Sequence, residues 1–130
     1  MQTIERNTYL NQLVSGRNNG LIKVVTGIRR CGKSFLLFNL FYDYLLSQGV
    51  PDNHIIKIAF DDLLYEEYKN PHKLLVYIKE QITDQSTYYI LLDEVQMMDN
   101  FVGALNSLMH IRNADIYVTG SNSKFLSIDE

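Results

Sequence analysis

Residues 27–34 of this chain read GIRRCGKS and fit the pattern G-x-x-x-x-G-K-[ST], which is typical of a loop that holds phosphate groups. Gly27 and Gly32 allow backbone turns that other residues resist, so that successive N–H groups can converge on phosphate oxygens. Lys33 adds a mobile positive charge for the phosphates, and the Ser34 hydroxyl would be a ligand of Mg²⁺. The residues that we predict to form this phosphate-binding site are Gly27, Ile28, Arg29, Arg30, Cys31, Gly32, Lys33, Ser34 and Phe35.

The motif requires a strand before it and a helix after it, and the neighbouring residues meet both conditions. Residues 21–25 (LIKVV) have the apolar character of a strand, and residues 35–47 that of a helix. In this helix the apolar residues cover more than one face, which predicts deep burial. A helix that begins at the motif would also direct its positive end toward the phosphates.

The remainder of the chain alternates predicted strands with predicted helices. We predict strands over residues 54–60, 88–92 and 115–119. We predict an opening helix over residues 3–14, a second helix that begins at Asn70-Pro71, and a third over residues 101–111. Residues 63–69 fit either a turn or a short helix. The alternation indicates right-handed βαβ crossovers, and therefore an α/β fold with a mainly parallel sheet.

Length and charge narrow the class of protein. A chain of 130 residues with 46% hydrophobic content is sufficient for one domain with a buried core. Its net charge of −3, with acidic and basic residues interspersed, gives no support for binding to nucleic acid or to an anionic membrane. Cys31 is the single cysteine, and the first residues do not resemble a signal peptide, so we expect a cytoplasmic protein.

Acidic residues follow two of the predicted strands. Asp93 and Glu94 come directly after an almost continuously apolar strand, as expected of a nucleotide hydrolase: one acid holds the metal's waters, and the other orients the attacking water. Asp61 and Asp62 follow the strand over 54–60, where they are either metal ligands or solvated acids that end a strand.

The fourth predicted strand is followed by Ser121 and Asn122, in the sequence GSNS. Short polar side chains at this position could sense the γ-phosphate or the attacking water. The same four residues are also typical of an ordinary turn, so the pattern leaves both interpretations open.

Taken together, three segments carry a resemblance to a known superfamily. TGIRRCGKS resembles a Walker A motif, YYILLDEVQ a Walker B motif with an added glutamate, and YVTGSNS a sensor 1 strand end. The chain is thus similar to AAA-superfamily ATPases, and more narrowly to a bacterial and archaeal family whose AAA-like domain precedes a C-terminal domain. The resemblance implies a three-layer P-loop NTPase fold of the ASCE class, with ATP and Mg²⁺ as cofactors.

The resemblance also implies a role for each matching residue. Lys33 would contact the β- and γ-phosphates, Ser34 and Asp93 would hold Mg²⁺, and Glu94 would be the catalytic base. Either Ser121 or Asn122 would be sensor 1. Lys33, Glu94, Ser121 and Asn122 are therefore the predicted catalytic set.

In the superfamily a fifth strand lies beside the first, in the spatial order 5-1-4-3-2. The chain ends at Glu130, soon after its fourth predicted strand, so we expect residues 1–130 to be part of an AAA-like ATP-binding domain, truncated before that fifth core strand. The first strand would then be an apolar exposed edge that favours self-association.

Three functions remain open from the sequence. The first is an ATPase core that binds Mg·ATP and hydrolyses it slowly without a charge-stabilising arginine; GTP is less suited because the chain has no N-K-x-D motif. The second is a phosphoryl transferase that acts on a small molecule. The third is a nucleotide-switched interaction module without catalysis, in which ATP orders loops to present a surface. The partner of the longer protein is not predicted.

Overall fold

The computed structural model describes the backbone of residues 2–26 and 30–120, and the side chains of residues 9–26 and 32–120. Helices and strands alternate through most of this part of the chain. The helices are α1 (Gln2–Ser15), α2 (Arg30–Phe35), α3 (Tyr42–Ser47), α4 (Pro71–Gln81) and α5 (Phe101–Met109). The strands are β1 (Lys23–Val25), β2 (Ile55–Ala59), β3 (Tyr88–Asp93) and β4 (Ala114–Thr119).

The four strands form one parallel sheet in the order β1-β4-β3-β2. This order is the 1-4-3-2 arrangement that the resemblance implies, and it confirms the predicted α/β fold with a parallel sheet. Parallel neighbours place their carboxyl ends at the same edge of the sheet. Val25 is paired with Thr119, and Ala59 with Asp93, so the ends of all four strands lie along that edge.

Helices cover both faces of the sheet, which gives the three predicted layers. Successive residues of β3 point to opposite faces: Tyr89 and Leu91 belong to one buried cluster, and Ile90 and Leu92 to the other. The first cluster also contains Leu13 of α1 and residues 36, 37, 41 and 45 of the helical segment after β1. The second contains side chains from α4 and α5. Burial on both faces explains the continuous apolar run of β3.

The helical segment after β1 is longer and less regular than predicted. Its described part begins at Arg30 and so includes part of the 27–34 motif, whereas the sequence prediction began at residue 35. Between α2 and α3, Leu36–Phe41 form a π-helix. Because apolar residues cover more than one face of this segment, periodicity alone could not distinguish π-helical from α-helical turns.

Strand β1 is shorter than the predicted 21–25, because Leu21 lies outside the sheet and is 63% exposed. Polar contacts to Asp115, near the start of β4, hold both the first residue of β1 and the segment before it. The Lys23 ammonium lies 2.5 Å from Oδ1 of Asp115, and both side chains are buried. The backbone N–H of Asn18 and the hydroxyl of Tyr117 donate to Oδ2 of Asp115, at 2.9 and 2.5 Å.

Residues 63–69, left open by the sequence, form a 3₁₀ helix, Leu63–Lys69. The following helix, α4, begins as predicted: the Asn70 side chain accepts hydrogen bonds from the N–H groups of His72 and Lys73, with Pro71 at the first helical position. Within the described residues, no helix is both long and apolar enough to cross a membrane.

Candidate functional site

The carboxyl edge of the sheet brings residues from three predicted motifs into contact. Strands β3 and β4 end at Asp93 and Thr119, and Ser34 lies in the helix that follows β1. The Ser34 hydroxyl donates to Oδ2 of Asp93 at 2.6 Å. Ser34 of the 27–34 motif and Asp93 of the acidic pair are therefore in direct contact.

Asp93 is 2% exposed, yet its described hydrogen-bond donors are neutral hydroxyl groups. Burial raises the pKa of the Asp93 carboxyl, while the hydrogen bonds from Ser34 and Thr119 partly offset this effect. The negative charges of Glu94 and Asp61 raise the pKa of Asp93 further. A bound cation at this carboxylate would relieve the cost of burying its charge.

Thr119 connects the two acidic residues, although it is not among the site residues predicted from the sequence. Its fully buried hydroxyl donates to Oδ1 of Asp93 at 2.5 Å and accepts a hydrogen bond from the backbone N–H of Glu94 at 2.9 Å. Thr119 is the last residue of β4, beside the last residue of β3. The sequence does contain a signal for this role, because Thr119 is a polar residue at the end of the strand that the resemblance places beside the third strand.

Glu94 adopts a left-handed backbone conformation, with φ 56° and ψ 50°. For a residue other than glycine this conformation is uncommon, and it costs of the order of 1–3 kcal/mol where the surroundings impose it. The turn ends β3 and leads into a short 3₁₀ helix, Val95–Met97. The side-chain amide of Gln96 donates to Oε1 of Glu94 at 2.7 Å. In the sequence, Gln96 is notable only as part of the resemblance to Walker B motifs.

Lys33 spans the site from the helix to the end of β4. Its side chain is 8% exposed, and its ammonium group donates to the backbone carbonyl of Gly120 at 2.9 Å. Gly120 in turn donates its N–H to the carbonyl of Val25 at 3.4 Å. The Lys33 ammonium, which we predict to contact phosphate, thus lies at the end of β4, just before the predicted sensor residues Ser121 and Asn122 in the sequence.

The structure describes only some of the remaining predicted site residues in full. Phe35 is described and its side chain is 40% exposed on α2. Arg30 and Cys31 lie in α2, but their side chains are outside the described part of the structure. Gly27, Ile28, Arg29, Ser121 and Asn122 lie outside the described residues altogether.

The second acidic pair has different contacts. Asp61 and Asp62 are both exposed, and the Asp62 carboxylate accepts the N–H of Leu64, so it caps the following 3₁₀ helix. The negative charge of Asp61 raises the pKa of Asp93. Among the described side chains, no group of three His, Cys, Asp or Glu residues could hold a metal. The cap that Asp62 provides for the 3₁₀ helix favours a strand-end role for Asp62.

Comparison with known proteins gives a consistent result. A family described as "AAA domain" matches residues 19–130. A protein of Haemophilus influenzae, named "Uncharacterized protein", is 36% identical over 125 residues, which cover 95% of this chain and 31% of that protein. "Uncharacterized protein MJ1544" of Methanocaldococcus jannaschii is 34% identical over 113 residues, 82% of this chain and 22% of its own length. The chain thus spans less than a third of either relative.

Proposed function

We propose that this chain, which belongs to the AAA domain family, binds Mg·ATP and supplies the ATP-hydrolysing core of a longer cytoplasmic protein. In this proposal residues 1–130 are part of the ATP-binding domain. The nucleotide phosphates lie against the 27–34 motif and the start of α2. Because parallel α/β folds bind ligands at the carboxyl ends of their strands, this is also the position expected from the fold.

The observation that carries the proposal is the hydrogen-bond chain from Ser34 through Asp93 and Thr119 to the backbone of Glu94. It joins a hydroxyl of the 27–34 motif, through the buried side chains of Asp93 and Thr119, to the acidic residue that follows β3. A phosphate loop opposite a metal-binding acid and a water-orienting acid is the arrangement that nucleotide hydrolysis uses. A purely structural strand end would not require a buried carboxylate at this point.

The donor set fits Mg²⁺. This ion prefers oxygen ligands, retains several waters, and is commonly held by one or two protein side chains together with the phosphates of the substrate. The Ser34 hydroxyl and the Asp93 carboxylate are two such oxygens, 2.6 Å apart. When bound, Mg²⁺ would neutralise charge on the β- and γ-phosphate oxygens.

In this proposal each of the other predicted site residues has its own role in binding the phosphates or activating the water. Lys33 would exchange its hydrogen bond to Gly120 for the β- and γ-phosphates, which offer it a full negative charge. Glu94 would accept a proton from the attacking water as the general base. Ser121 or Asn122 would contact the γ-phosphate as sensor 1.

The proposal is tested by calorimetric titration with Mg·ATP and by phosphate release from the full-length protein. We expect saturable binding that Lys33→Ala abolishes, and turnover that Glu94→Gln abolishes while binding remains. Lys79→Ala and Glu80→Gln, at exposed positions of α4, are the matched controls and should behave as the wild type. Equal Mg·ATP affinity in Lys33→Ala and the wild type would contradict the assignment.

A nucleotide-switched interaction module is the second candidate. The contact that favours it is the hydrogen bond from Lys33 to Gly120, because a nucleotide that recruits Lys33 would release the residue before the predicted sensor segment. In that case the full-length protein binds Mg·ATP but releases no phosphate, and Glu94→Gln leaves all measured properties unchanged.

A further inference from the structure

Gln96, which has no role in the reaction proposed above, donates a hydrogen bond to the carboxylate of Glu94. The Nε2 amide of Gln96 donates to Oε1 of Glu94 at 2.7 Å. The two residues are close in sequence, but the contact depends on the left-handed turn at Glu94 and the 3₁₀ helix that follows it. A carboxylate can only accept hydrogen bonds, so the amide nitrogen must be the atom that faces Glu94.

Two contacts together restrain Glu94. Its backbone N–H donates to Thr119 Oγ1 at 2.9 Å, which fixes the start of the side chain but leaves the side-chain torsions free. The Gln96 amide restrains the other end, at the carboxylate itself. A general base needs this second restraint, because its efficiency depends on placing one oxygen within hydrogen-bond reach of the attacking water.

The other end of the Gln96 amide indicates that its role is more than packing. Its Oε1 atom is buried and has no hydrogen-bond partner among the described residues. An unsatisfied buried polar atom is unfavourable for folding, whereas an apolar side chain of similar size at this position would avoid that cost. The contact that distinguishes glutamine from such a side chain is the donated hydrogen bond to Glu94.

The geometry points to Gln96 as a positioning residue that orients the Glu94 carboxylate toward the attacking water of ATP hydrolysis. This inference rests on the proposed function, since it requires Glu94 to be the general base. Gln96 acts through Glu94 in this scheme and does not itself contact the nucleotide.

The test compares Gln96→Met, which retains the length of the side chain without its donor, with Gln96→Glu, which retains the shape but replaces the donor by an acceptor. General bases contribute about 10²–10⁴-fold to rates, and we expect loss of orientation to remove about 10- to 100-fold from kcat. The Kd for Mg·ATP should remain at the wild-type value in both variants. The Tm of Gln96→Met should equal or exceed the wild-type value because the buried Oε1 is removed, whereas Gln96→Glu should lower the Tm because it places a second carboxylate beside Glu94. Gln81→Met, at an exposed position at the end of α4, is the matched control.

The decisive experiment is a double-mutant cycle that combines the Gln96 variants with Glu94→Gln. The rates are measured as single-turnover hydrolysis in the full-length protein, because this assay detects slow residual activity. If Gln96 acts through Glu94, Gln96→Met should cause no further loss in the Glu94→Gln background. A purely structural role would reduce the rate in both backgrounds by the same factor, and that result would overturn the inference.

The remaining outcomes separate this inference from the proposed function. Wild-type kcat in both folded Gln96 variants, with Glu94→Gln inactive, would overturn the role of Gln96 and leave the hydrolytic site intact. Wild-type turnover in Glu94→Gln, or no turnover by the unmodified protein, would overturn both.

Discussion

The hydroxyl of Ser34 donates a hydrogen bond to the carboxylate of Asp93 at 2.6 Å, although 59 positions separate the two residues in the chain. The contact joins the helix after β1 to the end of β3. It places a neutral hydroxyl against the carboxylate of Asp93. Burial raises the pKa of this carboxylate. This pair brings two oxygen atoms from distant parts of the chain together at the carboxyl edge of the sheet.

Ser34→Ala should make nucleotide affinity insensitive to Mg²⁺, because it removes one of the two protein oxygens that fit the ion. Calorimetric titration with ATP, once with Mg²⁺ and once with EDTA, measures the difference. We expect a clear Mg²⁺-dependent gain in affinity for the wild type and for Ser34→Thr, but little gain for Ser34→Ala. Ser47→Ala, at an exposed serine of α3, is the control. A full Mg²⁺ effect in Ser34→Ala would exclude Ser34 as a ligand.

Thr119→Val should destabilise the protein and impair turnover, since valine has the shape of threonine without the hydroxyl. The change removes a donor from Asp93 and an acceptor from the N–H of Glu94. Leaving such buried groups unsatisfied costs about 1–3 kcal/mol each. Urea unfolding measures the loss, and Thr119→Ser should retain most of the stability. Thr87→Val, outside the site, serves as the control. An unchanged unfolding midpoint in Thr119→Val would show that these hydrogen bonds contribute nothing to stability.

Lys23→Met should destabilise the fold without altering the site. Lys23 and Asp115 form a buried ion pair near the amino end of β4, and loss of one partner from such a pair costs about 3–5 kcal/mol. Urea unfolding should show this loss, with Lys79→Met as a control at an exposed lysine. In the double variant Lys23→Met/Asp115→Leu, much of the stability should return because no unpaired charge remains. Additive losses would contradict a direct interaction.

Self-association through β1 remains a prediction. Among the described strands β1 pairs only with β4, and Val24 is 44% exposed there. An exposed strand edge favours pairing with a second copy, whereas a charged residue on it opposes pairing. We expect light scattering to show a mass that rises with concentration, and Val24→Lys to suppress that rise. Val76→Lys, on α4, tests whether any added charge has the same effect. A monomer at all concentrations would exclude pairing through this edge.

The sequence alone indicated much of the fold, because the relevant signals are local. Alternating apolar strands and helices predicted a parallel α/β sheet, and the order β1-β4-β3-β2 agrees with the resemblance. The Asn70-Pro71 pair predicted the start of α4 correctly. Capping and apolar periodicity act between residues within about one helical turn of each other, so they can be read directly from neighbouring letters.

For the site, the sequence predicted individual residues but not the contacts between them. The spacing of glycines, lysine and serine selected Ser34 and Lys33, and the acids after an apolar strand selected Asp93 and Glu94. The sequence could not show that Thr119 joins both acids, since this depends on the register between β3 and β4. Nor could it show that Gln96 reaches the Glu94 carboxylate, since that contact requires the left-handed turn at Glu94.

The sequence by itself thus determined which chemical groups the chain carries and that they follow the ends of strands. The tertiary structure decided which of those groups touch, including the buried pair of Lys23 and Asp115 that fixes the start of β1. The physical reason is that hydrogen bonds require atoms to lie within a few tenths of an ångström of the right distance. Such distances are set by strand register and side-chain packing across the whole sheet, and no local pattern encodes them.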